Sequence, residues 1–86
     1  MSYVVEVNEG VVEATRQGVE WWYTYRPRFE ASGRLREIKA ACIIAGTVEV
    51  GPYERDDAEF MASHMVESGG MPKSAVKVKR GGDGRD

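Results

Sequence analysis

Up to about Val50 the apolar residues come in short runs rich in Val, Ile, Trp, Tyr and Thr, cut by Gly10, Gly18, Gly33, Gly46 and Gly51. Such runs between glycine-containing turns predict antiparallel strands in a meander. Strands are expected near Tyr3–Val7, Val11–Thr15, Val19–Arg26, Leu35–Ile44 and Thr47–Val50. The turns between them are expected at Asn8-Glu9-Gly10, Arg16-Gln17-Gly18 and Ala31-Ser32-Gly33. Pro27 cannot donate to a ladder and marks an edge or the end of the third run. Leu35, Ile38 and Cys42 also fit helical spacing, so the run from Leu35 to Ile44 reads as a long strand or as partly helical.

One stretch has a clear helical period. Ala58, Met61, Ala62, Met65 and Val66 repeat at i, i+3, i+4, i+7, i+8 and predict an amphipathic helix from about Glu54 to Ser68. Glu54, Asp56, Asp57 and Glu59 crowd its start, where negative charge suits the helix dipole. Gly69-Gly70 and then Pro72 end it. A last strand is expected at Ala75–Lys79, with Val76 and Val78 inward and Lys77 and Lys79 outward. The Gly-rich, charged tail from Arg80 to Asp86 is expected to be disordered, which leaves one domain over residues 1–79. The expected fold is thus α+β: an antiparallel meander of four to six strands, one amphipathic helix packed on one face, and a final short strand.

These patterns leave two apolar surfaces without an obvious cover. In a strand over Val19–Arg26, Val19, Trp21, Tyr23 and Tyr25 share the core face, and Trp22 falls on the other side with Glu20, Thr24 and Arg26. One helix covers one side of a sheet, so Trp22 is either an interface residue or lies flat on a neighbouring strand or an arginine stem. On the helix, Phe60 and His64 lie off the Met stripe, on the side of Asp57 and Glu67. Phe60 there either anchors a partner or folds over a neighbour such as Tyr53.

With 86 residues there is room for one domain with a thin core. The net charge of −2 gives no overall attraction to nucleic acid or to an anionic membrane. Arg26, Arg28, Arg34, Arg36 and Lys39 nevertheless cluster in the middle of the chain, beside Trp and Tyr residues, a composition that can bind single strands by stacking and phosphate contacts. The beginning of the chain has no basic segment, Glu6 interrupts its apolar run, and no stretch is long and apolar enough to span a bilayer; a cytoplasmic location is expected.

The residue types that carry chemistry are scarce. A single histidine, His64, and a single cysteine, Cys42, do not make a metal site, and Cys42 sits in an apolar run where thiols are usually inert. The glycines match neither a P-loop nor a dinucleotide fingerprint. Asp56, Asp57 and Glu59 read as helix-start residues before acid–base groups. No catalytic residue, cofactor or metal is expected, and no enzymatic activity.

Two resemblances add to this reading. Val50-Gly51-Pro52-Tyr53, then Ala58, a helix ending Glu67-Ser68-Gly69 and a Val-containing strand resemble the second half of a SPOR domain, whose strand–helix–strand unit is repeated. That resemblance implies binding to denuded peptidoglycan, whereas the first half of this chain shows no helix in its pattern. The stretches Trp21-Trp22-Tyr23-Thr24-Tyr25-Arg26-Pro27-Arg28 and Val50-Gly51-Pro52-Tyr53-Glu54-Arg55-Asp56-Asp57-Ala58-Glu59 look like small accessory proteins of mycobacteriophages and related viruses. This implies a small non-enzymatic protein acting on a host factor. The expected function is a protein-interaction module, with a homodimer as one form of that interaction. Its candidate contact residues are Trp22, Arg26, Arg28, Phe60 and His64. The alternatives are a single-stranded nucleic-acid binder and a SPOR-like peptidoglycan binder.

Overall fold

The computed structural model describes residues 2–37 and 46–80. In chain order it contains β1 (Tyr3–Asn8), the short helix α1 (Glu9–Val12), α2 (Arg16–Ala31), β2 (Leu35–Glu37), β3 (Thr47–Tyr53), α3 (Arg55–Glu67), a 3₁₀ turn (Lys73–Ala75) and β4 (Val76–Arg80). The strands form one antiparallel sheet in the order β2-β3-β1-β4. Apart from the break between α1 and α2, this is the split β-α-β-β-α-β topology of ferredoxin-like domains.

The α+β class, the four antiparallel strands and the short final strand agree with the sequence pattern. So do β1, β3 and α3, each to within a few residues at either end. The strands expected at Val11–Thr15 and Val19–Arg26 do not form. Asn8 caps α1 by accepting from the Val11 amide at 3.2 Å. Thr15 caps α2 in the same way, its hydroxyl accepting from the Gly18 amide at 3.2 Å. The residues read as two hairpin turns, 8–10 and 16–18, are therefore helix starts. The helices α1 and α2 stand beside the single one expected, which forms as α3.

Pro27 lies inside α2, where it leaves the Tyr23 carbonyl without its i+4 donor. The helix ends at Ser32, and Gly33 turns the chain into β2 with φ +77°, a conformation that side-chain-bearing residues rarely adopt. Of the run Leu35–Ile44, residues 35–37 form β2. Ile38, Lys39 and Cys42 lie outside the described residues, as does the tail beyond Arg80. Arg80 itself closes β4 opposite Tyr3, so the folded unit extends one residue past the expected boundary.

The strands bury one face. Val5 pairs with Val50 and Val78, and Val7 with Val48 and Val76, giving two cross-strand ranks of valine. Ala58 and Met65 of α3, Trp22 of α2, Val12 of α1, and Met71 and Ala75 close over them. Each large side chain so buried contributes about 1.5–3 kcal/mol. Val76 and Val78 point inward as the alternation requires.

The opposite face is polar. Arg36, Glu49, Glu6 and Lys77 stand in register across β2, β3, β1 and β4. Glu49 is buried there, its carboxylate held by Arg36 Nη2 at 2.8 Å and Lys79 Nζ at 2.9 Å, while Lys79 also meets Glu6 at 2.8 Å. Ion pairs, and no tryptophan, occupy the face that the sequence pattern left open.

Candidate functional site: an aromatic row across two helices

Helix α2 has two aromatic edges, one turned inward and one turned sideways to α3. On the inward edge Trp22 is fully buried, its indole N–H donating to Glu9 Oε2 at 2.6 Å and its ring 6.0 Å from that of Phe29. Arg26, one turn on, donates from Nε to the same Glu9 oxygen at 2.8 Å and from Nη2 to Glu37 at 2.8 Å, with Glu30 at 3.5 Å. Desolvation opposes the Arg26 charge, but the Glu37 hydrogen bond and the Glu9 carboxylate outweigh it and hold the guanidinium above its ordinary value. Nearby Tyr23 is pushed up by burial, and the charges of Glu9 and Glu13 add to this.

Trp22 and Arg26, both expected as contact residues, thus belong to the interior and to an ion-paired cluster that ties α1, α2 and β2 together. A strand would have turned Trp22 outward. A helix turns it in with Val19 and Phe29, and this reverses the roles of the two tryptophans.

The sideways edge carries Trp21, Tyr25 and Arg28. The Arg28 guanidinium lies 5.1 Å from the centre of the Tyr25 ring. Tyr25 and Trp21 have ring centroids 4.6 Å apart with planes tilted by 37°. Trp21 meets His64 of α3 edge-to-face at 5.7 Å and 72°. His64 in turn lies nearly parallel to Phe60, at 6.1 Å and 9°. Five side chains from two helices therefore form one continuous row, each 4.6–6.1 Å from the next. Trp21 and Tyr25 are half-buried, His64 and Arg28 are exposed, and Phe60 at the end is 70% exposed.

Gly69 makes the junction between the helices possible. A Cβ there would lie 2.5 Å from the Met65 carbonyl oxygen and 2.8 Å from the Trp21 ring. The bare backbone after α3 is what lets Trp21 lie close beside it.

Of the five residues selected from the sequence, the structure brings Arg28, Phe60 and His64 into one surface and sends Trp22 and Arg26 inside. Phe60 stacks on His64, and not over Tyr53, whose ring is instead covered by Arg34 at 5.0 Å. The strand reading places Trp21 and Tyr25 on the core face and so leaves them out of this surface. The signal for them was the i, i+4, i+7 spacing of Trp21, Tyr25 and Arg28, parallel to that of Trp22, Arg26 and Phe29.

No family model matches the chain, and no curated protein or solved structure matches it. What the row can do therefore rests on its own chemistry. Stacked rings ending in an exposed phenylalanine offer apolar area with little side-chain entropy to lose. The rim is acidic, since exposed Asp56, Asp57, Glu59 and Glu67 all lie on α3 around Phe60 and His64, with Arg28 the cation at the far end. Among the described residues no group of three His, Cys, Asp or Glu side chains converges as a metal site, and no helix is long and apolar enough to cross a membrane.

Proposed function

We propose that this chain is a non-enzymatic protein-interaction module whose contact surface is the row Phe60–His64–Trp21–Tyr25–Arg28. The observation that carries the reading is Phe60, a large apolar ring 70% exposed and lying nearly parallel to His64 at 6.1 Å. Exposed aromatic side chains pre-positioned by their neighbours are typical anchors of protein interfaces. The acidic rim selects a partner that presents an apolar or aromatic side chain flanked by lysine or arginine. The resemblance to phage accessory proteins directs the search for that partner to host proteins.

The charge pattern disfavours nucleic acid. Modules that read RNA on a four-stranded sheet stack bases on aromatic residues of the open face. Here that face carries Glu6, Glu49, Arg36, Lys77 and Lys79. The aromatic row is bordered by carboxylates, which repel phosphates.

A second reading, SPOR-like binding to peptidoglycan, gains support from the strand–helix–strand order, which occurs twice in this chain. Sedimentation with purified peptidoglycan separates the two: retention in the pellet that survives Phe60→Ala favours the cell-wall reading.

The direct test of the leading reading is affinity capture from host lysate with the intact chain and with Phe60→Ala. Bands held by the former and lost by the latter, at unchanged thermal stability, identify the partner. Identical capture by both chains would remove the row as the contact surface.

A further inference from the structure

The other flank of α3 faces the sheet edge. Ala62, Ser63, Val66 and Glu67 of α3 and Lys73, Val76 and Val78 line a groove of about 410 Å³ alongside β4. Among the described residues β4 is the last strand of the sheet, bonded to β1 on one side only. A strand edge beside a helix-walled apolar groove is the arrangement that takes up an extended peptide as an additional strand.

The charge on this edge selects the occupant. Lys73 and Lys77 are exposed along it, and Glu67 of the helix wall is the one carboxylate in the groove lining. The chain already contains a strand that suits β4: β1, in which Val5 and Val7 lie against Val78 and Val76, and Glu6 lies against Lys77. A second copy is a poor occupant. Antiparallel pairing of β4 with itself about Val78 sets Lys77 against Lys79, and like charges directly opposite are destabilising. Lysine on an edge strand is in general a guard against such self-pairing.

We infer that the β4 edge and the α3 groove form a second docking site, which takes an extended peptide of alternating apolar and acidic residues as a fifth strand. The apolar side chains enter the groove over Ala62, Val66, Val76 and Val78, and the acidic ones lie on the outer face beside Lys77. The site contains none of the five side chains of the aromatic row, although Glu67 lies both at its edge and on the acidic rim of that row.

The test uses the intact chain and two capped peptides, one alternating valine with glutamate and one alternating valine with lysine. Amide resonances of Val76–Arg80 should shift and become protected with the glutamate peptide. Lys77→Glu should weaken that binding by roughly fivefold, the order expected when a cross-strand attraction becomes a repulsion, and should favour the lysine peptide instead. Ser63→Phe, an exposed position on the groove wall, should block both peptides at unchanged thermal stability. Phe60→Ala should leave peptide binding unaltered, which keeps this test separate from that of the aromatic row. The inference is overturned by β4 amides that do not respond to millimolar peptide, by equal response to the two peptides, or by a concentration-dependent doubling of mass that protects the same amides.

Discussion

Trp22 and Glu9 are joined by a 2.6 Å hydrogen bond from the indole N–H to a carboxylate that also holds Arg26 at 2.8 Å. A buried polar atom without a partner costs about 1–3 kcal/mol, and here the indole nitrogen, the carboxylate and the guanidinium satisfy one another. The bond fixes the short helix α1 against α2 at the point where the chain leaves β1. In a domain this small, such a tie accounts for a large share of total stability.

Truncation of Trp22 should therefore destabilise the protein strongly and not merely weaken its associations. Trp22→Ala removes a fully buried ring, a change that costs about 3–5 kcal/mol, against a total of about 5–15 kcal/mol for small domains. Trp22→Phe keeps most of the apolar contact and leaves Glu9 bound to Arg26, so it should be milder. Urea unfolding followed by circular dichroism ranks the three chains. A Trp22→Ala protein as stable as the parent would place this ring outside the core.

Phe60 should behave in the opposite way. Its ring is mostly in solvent, so Phe60→Ala should change stability by no more than about 0.5 kcal/mol. Association with the partner should weaken at least about tenfold, because burying a phenylalanine contributes roughly 1.5–3 kcal/mol. Thermal melting and a binding isotherm on the same preparations decide it. A marked loss of stability with unchanged affinity would make Phe60 a packing residue.

Gly69→Ala tests the seam between the helices. The added methyl meets the Met65 carbonyl, which is backbone and cannot swing away, and also the Trp21 ring. Relief requires α2 and the segment after α3 to move apart, with a cost of about 1–3 kcal/mol. Trp21 shifts with them and its contact with His64 opens. Near-ultraviolet circular dichroism should change, and affinity for the partner should fall even though no side chain of the row has been altered. An unchanged aromatic spectrum would show that the close approach is not needed.

The parts of the fold legible in the sequence are those where one periodicity stands alone. Ala58, Met61, Ala62, Met65 and Val66 spell out α3, and Val-Glu-Val and Val-Lys-Val spell out strands. Between Thr15 and Ala31 two signals conflict. Val19, the tryptophans, Tyr23, Thr24 and Tyr25 are strand-favouring residues, and Gly18 and Pro27 resemble turn and edge markers. Propensity is a weak prior that packing overrides. Here the overriding contacts are long-range: Trp22 with Glu9, Arg26 with Glu37, and the Thr15 hydroxyl donating to the Gly70 carbonyl at 3.0 Å. None of these can be seen in a local window. The surface followed the same division, since Phe60 and His64 were legible on a clear helix and Trp21 could not be told from Trp22 until the secondary structure of their segment was known.

The open sheet face supplies a prediction about alkaline pH. Hydrogen bonds to Glu6 and Glu49 raise the Lys79 pKa above its ordinary value, against a smaller opposing effect of desolvation. A cationic group held above its unfolded value stabilises the fold fully below the unfolded value, about 10.4 for lysine, and that contribution is lost as pH rises through the higher folded value. The loss is sharpened by Glu49, whose buried carboxylate then keeps Arg36 as its one cationic partner among the described residues and faces Glu6 across the rank without Lys79 between them. Lys79→Met should accordingly be less stable than the parent by a constant amount from neutral pH to about pH 10, and the gap should close above that. Tyr23 and Tyr53, both raised chiefly by burial, titrate in the same alkaline region, but they do so in both chains and cancel in the difference. Urea midpoints of the two proteins across this range give the curve. A gap that persists unchanged after lysine deprotonation would mean that Lys79 does not stabilise the fold through its charge.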